Sequence, residues 1–308
     1  MNILLSGGFG FIGSGLTPLL LRNVARVGVI ARRIPDSFRH LAADVECHIH
    51  DLSQPADLRL GSTYDCFIHL AGSLHSATAT SSDLLSHTVE VTRRCLDVCR
   101  VNGIPRFVHF STFQVYGRDH GFIDESTPVS CRNDYARAHH LAEEEVRGAH
   151  DEGVVEYAIV RPTNCYGFSV HADVHRWSLV PSCFCRTAVE EGEIVLRTSG
   201  WQEKDFIHLE QLSALTQAIC LSFDRFRNQT INIASGSSMA IIDVATLVKE
   251  QYERVAGGRC ALRVLSEIPE RGERLVVSRA KTADLACRPS GDLSLDAEIV
   301  KTLSFLTS

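Results

Sequence analysis

Seven residues near the start of the chain, Gly7-Gly8-Phe9-Gly10-Phe11-Ile12-Gly13, constrain the fold more than any other stretch. The apolar run Ile3 to Ser6 precedes them, and a helical pattern follows that begins near Gly13. Glycines at 7, 10 and 13 permit a tight turn, close approach of a pyrophosphate to backbone N–H groups, and close packing of helix on strand; the helix N-terminus then faces the anion. Glycine also serves ordinary turns, so the strand before and the helix after are what carry the reading. The spacing is GxxGxxG, not GxGxxG.

The same alternation continues through the first half. Apolar runs at Ile3 to Ser6, Val27 to Ala31, Val45 to Ile49, Cys66 to Leu70, Phe107 to Ser111 and Tyr157 to Arg161 read as buried strands. Amphipathic stretches separate them, clearest at Leu84 to Val101 and Tyr135 to His150. Such alternation predicts βαβ units, hence an α/β fold with a Rossmann-type doubly wound parallel sheet. Beyond Arg161 the rhythm breaks around Pro162, Trp177, Pro181 and Trp201. A strand at Glu193 to Leu196, a helix from Leu209 to Leu221, a strand at Thr230 to Ile233 and a helix from Ile241 to Tyr252 follow. We expect a dinucleotide-binding domain over 1–165 with returning elements near 203–235, and a smaller C-terminal substrate-binding lobe from 166–202 and 236–308.

Composition bounds the partners. A chain of 308 residues fits this two-part division, and 44% hydrophobic with 22% charged residues excludes wholesale disorder. The net charge of −6 leaves no basic surplus for a phosphate-backbone footprint, so nucleic acid is not an expected partner. The eleven cysteines are odd in number and scattered through apparent core segments, which predicts buried free thiols in a reducing compartment and a cytoplasmic protein. Neither Cys183/Cys185 nor Cys95/Cys99 has a second pair at zinc spacing, and His171/His175 lack a following Glu, so no metal site is expected. No basic leader region precedes the first strand and no apolar run approaches membrane length, which predicts neither secretion nor a membrane span.

A dinucleotide site usually carries an acidic residue after its second strand; here Ala31-Arg32-Arg33 stands there. Two guanidinium groups can accept a 2′-phosphate, which predicts NADP over NAD. Asp51 and Leu52, after the third strand, are then placed to meet the adenine, and Leu70-Ala71-Gly72 to pass beneath the cofactor.

Together these residues resemble the extended short-chain dehydrogenase/reductase family, in its nucleotide-sugar epimerase/dehydratase group. The resemblance spans nearly the whole chain. Its markers are Gly7 to Gly13, His69-Leu70-Ala71-Gly72, Ser111-Thr112 with Val115-Tyr116-Gly117, Tyr135 with Glu143, Arg161-Pro162-Thr163-Asn164-Cys165-Tyr166-Gly167, Lys204-Asp205-Phe206-Ile207-His208, and Asn232-Ile233. The resemblance implies that Thr112 hydrogen-bonds the reacting substrate oxygen and that Tyr135 is the general acid/base. A phenol can exchange a proton with an alcohol or carbonyl while a hydride moves to or from nicotinamide. It further implies cofactor contacts from Phe11, Ile12 and Pro162, substrate contacts from Asn164 and Lys204, a looser diphosphate match at Arg271, and a homodimer through the helices at Leu84 to Val101 and Tyr135 to His150.

The departures bear on the reaction. The family's YxxxK becomes Tyr135-Ala136-Arg137-Ala138-His139, so the lysine that holds the nicotinamide ribose and lowers the Tyr pKa is replaced. His139 keeps the one-turn spacing, but its reference pKa is about 6.5 against about 10.4 for lysine. Phe113-Gln114 replaces the Asp-Glu pair of the sugar 4,6-dehydratases, which argues against dehydration. Thr88 stands where the family has an Asn. The leading expectation is NADP-dependent reduction of a nucleotide-linked keto-sugar at C4, with Tyr135 as proton donor, Thr112 polarising the carbonyl, and His139 beside them. The alternatives are an epimerase with retained cofactor and a catalytically silent dinucleotide-binding regulator.

Overall fold

The computed structural model describes residues 1–54, 58–72, 81–169, 174, 176–266, 272–285 and 292–308. In chain order its strands are β1 (Asn2–Ser6), β2 (Arg26–Ala31), β3 (Glu46–Ile49), β4 (Cys66–His69), β5 (Arg106–Phe110), β6 (Gly121–Ile123), β7 (Glu156–Pro162), β8 (Asn164–Tyr166), β9 (Glu193–Leu196), β10 (Glu203–His208), β11 (Gln229–Ile233), β12 (Ser238–Ala240), β13 (Ala261–Val264) and β14 (Leu275–Val277). The helices are α1 (Phe11–Leu21), α2 (Arg39–Ala42), α3 (Ser81–Asn102), α4 (Asp134–Asp151), α5 (Val180–Glu191), α6 (Leu209–Leu221), α7 (Phe223–Phe226), α8 (Ile241–Ala256) and α9 (Leu295–Thr307).

Seven strands form one parallel sheet in the order β3-β2-β1-β4-β5-β7-β11. The order reverses between β1 and β4, so their carboxyl ends flank a crevice, the usual ligand position in a doubly wound sheet. Successive side chains face opposite ways, and both faces are covered, which is why the strands read as unbroken apolar runs. Ile3, Leu5, Val27, Val29 and Ile68 pack with Leu16 of α1 and with Leu212 and Ile219 of α6. Leu4, Phe67, Phe107 and Ile159 pack on the other face with Val91 and Cys95 of α3 and Val146 of α4. Each such fully buried side chain contributes roughly 1.5 to 3 kcal/mol of apolar transfer.

A separate core gathers Tyr166, Cys185, Phe206, Val244, Val248, Ile299 and Leu303, which draws α5, α8 and α9 together. Strand β10 lies beside it, parallel to β8 and antiparallel to β12. The pairing of β14 with β6 fastens the late chain to the segment between β5 and α4.

Helix α1 begins at Phe11, two residues before the expected start near Gly13. Gly10 is its N-cap, and Gly10 N–H already bonds the Gly7 carbonyl at 2.9 Å. Gly13 therefore lies inside the first turn, where a Cβ would collide with the Gly7 and Gly8 carbonyl oxygens. All cysteines among the described residues are free, and no helix among them is long and apolar enough to cross a membrane.

Candidate functional site

The glycine turn sits at the β1 end of the crevice. Gly7 has φ +72°, and a Cβ there would come within 2.9 Å of the Ala71 nitrogen, so only glycine lets Leu70-Ala71-Gly72 lie against the turn. Gly10 is different: a Cβ would meet only the Gly7 oxygen, at 3.2 Å, and otherwise open space. Gly10 offers no side-chain cap to α1, and the first turn carries no acidic residue. The N–H groups of Phe11, Ile12 and Gly13 thus lack intrahelical partners and present a partial positive charge outward. A dinucleotide pyrophosphate fits this cradle.

At the far side, Arg32 and Arg33 are exposed just beyond β2. Asp51 follows β3; its Oδ1 accepts from the Ser53 N–H at 2.9 Å and the Ser53 hydroxyl at 2.8 Å. These bonds, with a smaller contribution from Arg32, hold the Asp51 carboxyl below its ordinary range. Leu52 is buried in the core under α3.

The opposite wall comes from β5 and α4. Thr112 caps the short turn after β5, its Oγ1 accepting from Gln114 N–H at 3.3 Å. Helix α4 is capped by Asn133, whose Oδ1 accepts from Ala136 N–H at 2.8 Å. That cap sets Tyr135 in the first turn, with His139 and Glu143 one and two turns on, along one face. The Tyr135 hydroxyl is hydrogen-bonded to the Thr112 side chain. Burial raises the Tyr135 pKa above its ordinary value, while Arg176 and the Thr112 bond oppose that rise.

His139 lies edge-on to Tyr135, with ring centroids 4.6 Å apart. It is 8% exposed, and its Nδ1 has no hydrogen-bond partner. Burial pushes its pKa down to about 4, although Glu143 and the Phe110 backbone act the other way. Glu143 cannot rescue the charge because it is committed elsewhere. Its two oxygens accept from Arg161 at 2.8 and 2.6 Å, and from Ser111 and Arg147 besides. Against desolvation, Arg161 and Ser111 hold that carboxyl below its ordinary range. Two further imidazoles lie behind His139. His69 and His109 are paired across β4 and β5 with ring centroids 5.4 Å apart, and burial pushes His69 down to about 3. A cation at any one of the three repels a cation at the others. The residue in the lysine position is therefore a neutral imidazole at pH 7.

On the lobe side, Asn164 donates to the Asp205 carbonyl at 3.0 Å, and Lys204 lies half-buried near Asp119 and Arg132. Burial lowers the Lys204 pKa, with Asp119 opposing. Pro162 is buried at the end of β7, paired with Ile233. Arg271, His171 and His175 lie outside the described residues. The structure thus joins Thr112, Tyr135 and His139 in one group at the crevice. Sequence reasoning missed Arg176, His109 and the imidazole role of His69. His69 ends β4 and His109 is the last residue but one of the neighbouring β5, so both could have been found there; Arg176 comes from an irregular stretch that gives no signal.

The model of the NAD dependent epimerase/dehydratase family matches residues 3–234. The chain is similar to the low-salt glycan biosynthesis protein Agl12 of Haloferax volcanii, 24% identical, with 94% of each chain covered. Its fold is similar to UDP-glucuronic acid 4-epimerase from Bacillus cereus in complex with NAD, with TM-score 0.80, 20% identity, and 99% and 96% of the two chains covered. The same enzyme bound to UDP-glucuronic acid and NAD gives TM-score 0.79 at 20% identity, with 99% of each chain covered.

Proposed function

We propose, on the premise that this chain belongs to the NAD-dependent epimerase/dehydratase family, that it is an NADP-dependent oxidoreductase reducing a nucleotide-linked keto-sugar at C4. The observation that carries the reading is the Tyr135–Thr112 pair beside a buried, neutral His139. The glycine turn, with Phe11 and Ile12, would hold the pyrophosphate; Leu70-Ala71-Gly72 and Pro162 would flank the cofactor, and Asp51 and Leu52 would meet the adenine. When bound, nicotinamide supplies the hydride. Thr112 polarises the substrate carbonyl, and Tyr135 gives its phenolic proton to the oxygen that becomes the alcohol. A ketone needs a protonated phenol and an alcohol needs a phenolate, so a site that keeps Tyr135 protonated favours reduction. Asn164 and Lys204 would bind the nucleotide-sugar from the lobe side, and Arg271 extends that assignment. The expected division of the chain into 1–165 with 203–235, and 166–202 with 236–308, belongs to the same proposal. So does a homodimer through α3 and α4, where Leu141 is 43% exposed.

The NADP assignment is supported by Arg32 and Arg33, both exposed beyond β2 with no ion pair among the described residues. Charge-assisted contacts contribute roughly 1.5 to 3 kcal/mol each, so NADPH should bind at least about tenfold tighter than NADH. Calorimetry of wild type and the Arg32→Ala/Arg33→Ala variant checks this; equal affinities, or a ratio the variant leaves unchanged, oppose it. The second reading, an epimerase with retained cofactor, is favoured by likeness to an NAD-bound epimerase. Incubation with a panel of nucleotide keto-sugars and NADPH separates the readings. Stoichiometric loss of NADPH supports the reductase, isomer formation without loss the epimerase, and binding without turnover a regulator.

A further inference from the structure

Beneath the crevice lies a row of buried polar groups that the proposed proton transfer does not use. Ser6 ends β1 directly beside His69, the last residue of β4. Ser6 and Thr92 are fully buried, and His69 is 2% exposed. The His69 ring lies between the two hydroxyls, with Nδ1 2.7 Å from Ser6 Oγ and Nε2 3.1 Å from Thr92 Oγ1 of α3. Phe107 and His109 of β5 hold the ring from the side, with centroids 5.9 and 5.4 Å away, and Cys95 Sγ sits 3.5 Å from Nδ1.

Counting donors gives the row a direction. The Thr92 hydroxyl donates to the Thr88 carbonyl at 2.9 Å, so its single hydrogen is used and towards His69 it accepts. Nε2 therefore carries the ring hydrogen. Burial keeps the imidazole neutral, so Nδ1 is an acceptor and the Ser6 hydroxyl donates to it. With its hydrogen spent, Ser6 Oγ accepts from the Ala71 N–H at 3.4 Å, while the Ser6 carbonyl accepts from the Leu70 N–H at 3.1 Å. The bonds run without a break from α3 to the main chain that lies against the glycine turn.

We propose that His69 is the positioning residue of the crevice floor: as a single tautomer, it ties Leu70-Ala71-Gly72 through Ser6 to α3. That segment touches both halves of the site. A Cβ on Gly7 would come within 2.9 Å of the Ala71 nitrogen, and one on Gly72 would lie 4.0 Å from His139 Cε1. A shift of Ala71 is therefore felt both at the turn that would carry the pyrophosphate and at the ring beside Tyr135. The consequence for cofactor binding rests on the reading that a dinucleotide lies in this crevice. His69 itself, buried under the segment, acts through Ser6 and Ala71 and not by touching the ligand.

The test is NMR of isotope-labelled histidine, with His69→Gln identifying the His69 signals among the 14 histidines. Wild type should show one His69 tautomer, with the hydrogen on Nε2. Thr92→Val keeps the side-chain shape and removes the acceptor; it should abolish that preference and speed amide exchange at Ala71 about fivefold, the worth of one neutral hydrogen bond. Thr92→Ser should restore both. NADPH affinity should fall about fivefold in Thr92→Val and in Ser6→Ala, and no further in the double variant, because both changes act through one ring. An Nδ1–H tautomer in wild type, unchanged Ala71 exchange in Thr92→Val, or affinity losses that multiply in the double variant overturn the proposal. Altered tautomer and exchange with dinucleotide affinity unchanged leave the His69 anchor standing and remove the dinucleotide from this crevice instead.

Discussion

Gly10→Val gives a folded protein that has lost dinucleotide binding. Gly10 has φ −88° and ψ −175°, an extended conformation open to any residue, and its hypothetical Cβ meets only the Gly7 oxygen. The branched side chain therefore enters the space in front of the α1 N-terminus, where the pyrophosphate needs the N–H groups. Losing two such charge-assisted bonds, at roughly 1.5 to 3 kcal/mol each, weakens binding by about a hundredfold or more. Gly13→Ala behaves differently, because its Cβ collides with the backbone of the turn itself and the native structure is lost along with binding. Calorimetry with circular dichroism distinguishes the two, and a Gly10→Val protein with undiminished affinity refutes the phosphate cradle.

Tyr135→Phe is the companion expectation at the reacting end. Only the hydroxyl is removed, together with its bond to Thr112, so the fold and the edge contact with His139 are retained. Proton transfer by a positioned side chain contributes about 10² to 10⁴-fold, and the variant should lose that factor in kcat while its cofactor affinity stays near wild type. Single-turnover reduction followed by cofactor absorbance measures it. A loss smaller than about tenfold removes Tyr135 from the proton-transfer role.

The first half of the fold was legible because its strands are covered on both faces, so burial writes itself as apolar runs between amphipathic helices. The second half was less so. Strands β8 and β12 are three residues long, too short for a period, and α5 hides its buried face in Pro181, Ser182, Cys185 and Ala188. Helix α9 was readable in principle, since Ser294 caps it and Leu295, Ile299 and Leu303 recur at helical spacing. At the site, the glycine turn, Thr112 and Tyr135 follow from motifs on single elements. The neutrality of His139 does not, because it depends on burial contributed by several elements and on Glu143 being held by Arg161.

The central claim is that a neutral imidazole at position 139 biases the site toward reduction. A fixed cation about 4 Å from the phenol, at an effective dielectric near 20, contributes about 4 kcal/mol to phenolate, or about three pH units; a neutral ring contributes almost none of it. His139→Lys should therefore raise the oxidative rate near neutral pH more than the reductive rate, and lower the pH at which oxidation begins. The deciding measurement is the pH–rate profile of both directions in wild type and His139→Lys. The account predicts an oxidative profile displaced to lower pH with a smaller change in reduction; parallel profiles with equal rate changes in both directions contradict it.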